Sequence, residues 1–520
     1  MPTILGLDSS TQSCSALLID TDAGALLHSE TVSFGTDLSH YEAPSGFIPG
    51  GLEGEVHSNP LMWLEALDLL FSRLQSAGVD LSAVRAISGS GQQHGSVYLD
   101  EQFEEVVSNL QASSDLVEQV RPCLTRASSP IWMDGSTSEE CKEISAAVGG
   151  DEVVCERTGS ISIERFTGSQ IRKFWKSDAE GWERTGVIHL VSSFLASVLA
   201  GKNAAIDVGD GAGMNLMNLS SCDWDEQLLD ATAPGLKEKL PPVSASGTIA
   251  GTVSSYFVEK YGLSSSCEVV LFSGDNPCSL VGMGAAGPGK VVISLGTSDT
   301  LFAAMPEPRT DPNGYGHVFG NPMGGYMSLI CFKNGSLARE QVKGDLNLSW
   351  DDFDLAGLAK TPLGNEGRLM IPFFEPEITP RADLGGPLYG NWPDGEKGGA
   401  EMVRAVLEGQ FINMWLHSQW LGIEPEQILL TGGASQNDGI AQVVADVFGV
   451  PVVRLQVSGS AALGAAIRAA VAVGVADLPN LEASFCSPVA GSIREPATGS
   501  EEIYARLRES YQQALAEHLI

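Results

Sequence analysis

The sequence predicts an α/β protein whose layers are built twice along the chain. Three observations carry this. Two strand–turn–strand units share one grammar, "ILGLDSSTQSCSALLID" at 4–20 and "VVISLGTSDTLFAAM" at 291–305. Helical and extended patterns alternate between and after them, as layered α/β domains require. A chain of 520 residues also exceeds what one core ordinarily fills, so two large domains are expected.

Taken in order, the first unit flanks the small polar turn "DSSTQS" with apolar runs, which predicts two antiparallel strands. The stretch 61–78 sets Leu61, Leu64, Leu67, Phe71 and Leu74 on one helical face. "VRAISGSGQQHGSVYLD" (84–100) reads as strand, glycine-punctuated loop and strand. "AAGPGK" (285–290) clusters Gly and Pro between regular elements, and sets domains of 1–286 and 287–520. The second unit repeats the hairpin around "GTSDT". An amphipathic helix is expected over 400–422. "ILLTGGASQNDGIAQVVADVFGVPVVRL" (428–455) then gives strand, Gly–Gly loop, helix and strand, and a final alanine-rich helix starts near Ser460.

A net charge of −35 argues against binding nucleic acid or anionic membranes by general attraction. A polyanionic ligand would need backbone N–H groups, a bound cation or local basic residues to overcome that field. Nine scattered cysteines with no CxxC pair suit a reducing cytoplasm. No apolar run reaches the roughly 18 residues of a membrane span, and the N-terminus lacks the basic region of a signal peptide.

"LFSGDNPCSLVGMG" (271–284) ends an apolar run in a turn holding one aspartate. Pro277 suits the first turn of a helix and Asn276 the N-cap before it. Asp275 is then expected just outside the helix N-terminus, where the partial positive charge favours its ionised form. Open α/β sheets hold ligands where a strand end meets a helix start, and Gly274 leaves room for a substrate. Taken alone, the stretch reads first as a helix cap. The turns "DSSTQS" and "GTSDT" offer hydroxyls and N–H groups to phosphate oxygens, although the same residues populate ordinary turns. Asp8 is suited to hold hydrated Mg2+, which takes one or two protein carboxylates. Gly432 and Gly433 permit a sharp turn, or let a flat group such as adenosine lie on the backbone. Asn437 either caps the next helix or contacts a nucleotide.

These stretches, with "PIWMDGSTS", "ERFTGSQI", "LVSSF", "DGAGMNL" and "FKNGSLARE", resemble the FGGY carbohydrate kinase family in order and spacing over almost the whole chain. Within it they are most similar to the animal and plant branch that acts on D-xylulose. The resemblance implies an actin-like ATPase fold, two ribonuclease H-like α/β domains around a cleft. It implies ATP- and Mg2+-dependent phosphorylation of D-xylulose to D-xylulose 5-phosphate by a cytoplasmic monomer or homodimer. Asp275 becomes the catalytic base, with Asn276 beside it on the sugar, and His94 and Arg165 match positions that bind sugar oxygens. Thr11, Gly296, Thr297, Gly432, Gly433 and Asn437 match nucleotide contacts, Trp350 the residue packed on adenine, and Asp8 the metal carboxylate. His94, Arg165 and Trp350 also have plain structural readings as a core residue, an ion-pair partner and a surface anchor. An ordinary carboxylate pKa is expected to suffice for Asp275, because the phosphoryl transition state is loose. Ser9–Ser10–Thr11 departs from members with a glycine in the first turn, and Cys278 from those with a smaller alanine. The alternatives are a related kinase for ribulose or glycerol, an actin-like partner-binding ATPase, and a silent sugar sensor.

Overall fold

The computed structural model describes residues 3–353, 358–393, 398–455 and 459–518. The first half opens with β1 (Thr3–Ser9), β2 (Ser13–Asp20) and β3 (Ala25–Ser33) in an antiparallel meander. The hairpin read at 4–20 is therefore present, with Asp8 paired to Ser15 beside its turn. Helix α1 (Pro60–Ser76) starts where Asn59 caps it and Pro60 fills the first turn, and its five expected face residues are all buried. β4 (Val84–Gly91) then joins β1 in parallel. After α2 (Asp151–Thr158), α3 (Thr167–Ser177) and α4 (Val191–Ala200), the strands β5 (Ile249–Thr252), β6 (Glu268–Val270) and β7 (Ser273–Gly274) complete the sheet, and α5 (Asp275–Gly282) leaves it. The strand order is β5–β6–β4–β1–β2–β3, with β7 paired to the end of β4. Alternation along the strands covers both faces: Leu5, Leu7 and Ile87 pack with α1 and α4, whereas Ile4 and Ala86 face the other way.

The second half repeats this plan. β8 (Lys290–Leu295), β9 (Asp299–Met305), β10 (His317–Gly320) and β11 (Tyr326–Phe332) form an antiparallel set, followed by α6 (Ser336–Asp345) and α7 (Ala400–Ser418). β12 (Gln427–Thr431), α8 (Asp438–Phe448) and β13 (Val452–Arg454) then add the parallel part. The order is β10–β11–β9–β8–β12–β13. In each half a hairpin takes an antiparallel strand on one side and a parallel strand on the other, as the repeated hairpin grammar predicts.

Two expectations change. The helix over 400–422 is not amphipathic: every residue from Val403 to Met414 is buried, because α6, α8 and a C-terminal helix enclose it. Nor is the alanine-rich helix α9 (Ser460–Ala472) final, since α10 (Ser500–Ala516) follows and packs on α7. α9 instead returns to the first sheet, covering Ile4 and Ala86 and lying against α5. A Cβ at Gly6, Gly282 or Gly464 would strike the backbone carbonyl of Ala462, Ser460 or Cys278, so these elements touch backbone to backbone. Arg468 of α9 donates to the carbonyls of Ser246 and Leu271, both at 3.1 Å, and to Cys278 Sγ at 3.2 Å. The helix that begins with Asp275 is thus braced from behind. Among the described residues no helix is long and apolar enough to cross a membrane.

Candidate active site

Parallel pairing brings three strand ends to one level: Asp8 lies opposite Ser90, and Gly274 opposite Gly91. Asp8, the loop 92–94 and Asp275 therefore share one edge of the first sheet. The helix start differs from expectation. Gly274 is the N-cap, and Asp275 already has helical backbone. Asn276 does not cap: its backbone N and its Nδ2 donate to Asp275 Oδ1 at 2.9 and 3.1 Å, and Nδ2 also donates to Gln93 Oε1 at 2.8 Å. Gly274 makes room not for a substrate but for Gln93, whose Cγ lies 2.5 Å from where a Cβ would stand.

Nor does the helix terminus keep Asp275 readily ionised. Burial, then the charge of Asp8, pushes its carboxyl up to about 7, and backbone hydrogen bonds only partly oppose this. Asp8 is raised to about 6, again by burial, although Ser90 Oγ donates to its Oδ1 at 2.7 Å. Around this pair Ser9 Oγ, Gln93 Nε2 and both amide atoms of Gln92 are buried without a hydrogen-bond partner among the described residues. Buried polar atoms are rarely left so, and a polar ligand would complete them.

His94 occupies the left-handed region at φ 70°, an uncommon and costly state for a residue with a side chain. Its Nδ1 lies 2.7 Å from Gly213 O, so Nδ1 carries the proton and Nε2 is the acceptor. Burial, reinforced by Arg165, pushes its pKa down to about 3 and keeps it neutral. Its ring stacks on Phe166 at 4.2 Å. Arg165 stands in the loop between α2 and α3, with its guanidinium 5.5 Å from the Phe166 ring and Nη2 3.1 Å from His317 Nε2. It has no carboxylate partner among the described residues; Glu164 instead accepts from Ser138. A cavity of about 630 Å3 is lined by Arg165, His317, Lys142, Tyr315 and Arg381. It lies beside Arg165 and does not include Asp275.

The second sheet presents a different edge. Ser294 pairs with Thr431, so Gly296 and Thr297 leave β8 near the level at which Gly432 and Gly433 leave β12. Gly432 has φ 89°, and a Cβ there would strike the Leu295 carbonyl. Gly433 faces open space. Gly296 N donates to Asp299 Oδ1 at 3.1 Å, and Arg339 clamps the Asp299 carboxylate with bonds of 2.8 and 2.9 Å. Asn437 caps α8, accepting from Ile440 N at 2.9 Å. Trp350 is 45% exposed, with Lys343 Nζ 5.2 Å over its ring. In the first turn Thr11 Oγ1 accepts from Trp132 Nε1 at 2.8 Å. Gln93, Trp132, His317 and the Asp299–Arg339 pair were not read from the sequence. Only the glutamine in "GQQHG" carried a local signal.

Residues 106–282 match the N-terminal domain of the FGGY family of carbohydrate kinases, and residues 291–473 its C-terminal domain. The chain belongs to that family. It is 40% identical over 521 residues to the xylulose kinase of Rattus norvegicus, covering 98% of this chain and 96% of that one. It is 41% identical over 485 residues to xylulose kinase 2 of Arabidopsis thaliana, covering 90% and 86%. Two solved structures share its fold: xylulose kinase from Rhodospirillum rubrum (TM-score 0.82, 18% identity, 99% and 98% covered) and Plasmodium falciparum glycerol kinase with ADP (TM-score 0.80, 18% identity, 100% and 99% covered). This FGGY kinase therefore has the actin-like ATPase architecture, and the paired sheets are its two ribonuclease H-like layers.

Proposed function

We propose that this carbohydrate kinase transfers the γ-phosphoryl group of ATP to the 5-hydroxyl of D-xylulose, giving D-xylulose 5-phosphate and ADP. The observation that carries the mechanism is Asp275: a carboxylate at a strand end, held by Asn276, whose proton affinity is raised to about 7. Such a group is a stronger base than an ordinary carboxylate and is matched to work near neutral pH. The choice of D-xylulose rests on the full-length likeness to proteins named xylulose kinase.

In this reading Asp275 orients the sugar hydroxyl and takes its proton as the phosphoryl group arrives in line. Asn276, His94 Nε2 and Arg165 hold the other sugar oxygens. Gly432, Gly433 and Trp350 hold the adenosine. Thr11, Gly296 and Thr297 face the phosphates, with Asn437 as the helix cap beside them. Residues 1–286 then form the sugar side and 287–520 the nucleotide side, except that α9 packs on the former. Closure of the two excludes water, the competing phosphoryl acceptor.

Asp8 and Asp275 are carboxylates within electrostatic reach of each other and both are raised, which fits a site for a divalent ion. Among the described residues no group of three or more His, Cys, Asp or Glu side chains could hold one, so phosphate oxygens and water must supply the rest. Asp8 would hold Mg2+, which when bound neutralises phosphate charge. All nine cysteines are free thiols, which suits a reducing cytoplasm; a monomer or homodimer suffices.

An ADP-release assay over D-xylulose, D-ribulose and glycerol tests the reading. We expect kcat/KM for D-xylulose to exceed the others by at least about 10-fold. A faster rate with ribulose or glycerol assigns a related kinase, and ATP turnover indifferent to sugar assigns a partner-binding ATPase.

A further inference from the structure

Arg165 is held by something unusual for an arginine, a histidine from the other half of the chain. His317 opens β10 in the second sheet and is 4% exposed. Its Nε2 lies 3.1 Å from Arg165 Nη2, and its Nδ1 3.1 Å from Ser160 Oγ. A guanidinium can only donate. His317 Nε2 must therefore be the acceptor, the ring proton sits on Nδ1, and Ser160 receives it. The imidazole is neutral: burial and then the charges of Arg165, His94 and Arg381 hold its pKa well below the ordinary histidine range. Its ring also lies 5.4 Å from Phe166, the ring on which His94 stacks.

The loop carrying Ser160 and Arg165 docks on the same strand through its backbone. Val318 N donates to Gly159 O at 3.0 Å, and a Cβ on Gly159 would meet Val318. A carboxylate here would fix Arg165 but cancel much of its charge. A neutral imidazole fixes one N–H and leaves the charge and the remaining N–H groups for a ligand.

We propose that His317 is the positioning residue for Arg165, reaching from the nucleotide side to set the guanidinium that meets the sugar. The inference rests on Arg165 being a sugar contact. It assigns to the Ser160–His317–Arg165 chain the task of coupling sugar affinity to the seating of the second sheet against the first.

The test compares sugar KM, ATP KM and kcat for Arg165→Ala, His317→Leu, His317→Gln and the double variant Arg165→Ala/His317→Leu, with D-xylulose and ATP. His317→Leu is expected to raise sugar KM by about 10-fold, as loss of one hydrogen bond to a charged group implies. ATP KM should stay within about 2-fold. His317→Gln, whose Oε1 can accept from Arg165, should recover most of the loss, and the double variant should match Arg165→Ala alone. Unchanged sugar KM in His317→Leu, with a raised value in Arg165→Ala, overturns the proposal and spares the reading of Arg165. Unchanged sugar KM in Arg165→Ala removes Arg165 from the sugar site. Equal losses of sugar and ATP affinity without rescue by glutamine overturn the proposal in favour of a purely structural histidine. Should His317→Leu not fold, Ser160→Ala, which deletes the tautomer-fixing acceptor, must still raise sugar KM by about 3-fold; an unchanged value then overturns the proposal.

Discussion

Each half of the molecule places an aspartate at its hairpin turn, Asp8 in the first and Asp299 in the second; burial raises both, but their partners differ. Asp299 is buried but receives two bonds from Arg339 and one from Gly296 N. Asp8 receives one from the Ser90 hydroxyl and sits within electrostatic reach of Asp275. One topology thus ends in a compensated turn on one side and an uncompensated acidic edge on the other. A buried charge without a partner is costly, so the half that tolerates it is the half where the proposed cation and reacting hydroxyl would meet. The second half spends its turn on shape. It carries open backbone at Gly433 and a half-exposed tryptophan, Trp350.

The comparison breaks most readily at Arg339. Arg339→Met strands the Asp299 carboxylate, and breaking a buried ion pair from one side costs about 3–5 kcal/mol. The unfolding midpoint in urea should fall accordingly. A variant as stable as the parent would mean that the second turn needs no compensation.

The next largest effect is Asp275→Asn. The side chain keeps its size but cannot accept a proton, so kcat should fall by at least about 100-fold while both substrates still bind. The same change should stabilise the protein, and the sign follows from linkage. The folded pKa of about 7 exceeds the ordinary aspartate value of 3.8, so the native state holds the proton more tightly. The stability this confers is fully present below 3.8 and is lost as pH rises through 7. Asparagine avoids that loss, so its Tm advantage should be absent near pH 4 and largest near pH 8. Loss of activity together with loss of stability would point to misfolding rather than to a missing base.

On the proposed nucleotide side, Trp350→Ala should raise ATP KM by about 10-fold, in line with about 1–3 kcal/mol for aromatic stacking on a base. Sugar KM measured at saturating ATP should not move. A change in sugar KM instead would place Trp350 outside the nucleotide site.

Much of this arrangement was legible in the chain, and what was not has a physical reason. The hairpins and α1 announce themselves because period-2 and helical spacing are local, and Asp275 does so because an apolar run stops at Gly–Asp. The helix starts two residues before the point that an Asn276 cap would set, because Asp275 itself adopts helical backbone behind an extended Gly274. Burial of α7 could not be read from its own residues, since the helices that enclose it lie elsewhere in the chain. The return of α9 to the first sheet is a tertiary contact that spacing does not encode. The same holds for Arg339 on Asp299 and for His317 on Arg165. The raised pKa of Asp275 arises from burial and then from the charge of Asp8 on β1, whereas the local helix terminus argues the other way.

That conflict yields the finest prediction. After burial, the charge of Asp8 is the next cause raising Asp275. In the free enzyme, kcat/KM for sugar should therefore climb with pH and level off above about 7, because only the ionised carboxylate accepts the hydroxyl proton. Asp8→Asn removes the opposing charge, so in its residual turnover the inflection should move to lower pH by less than about one unit. Added Mg2+ should move the wild-type inflection in the same direction, and should move that of Asp8→Asn less. A profile whose inflection ignores both Asp8 and the metal would mean that the two carboxylates do not share a field, and the acidic edge of the first sheet would lose its distinction from the compensated turn of the second.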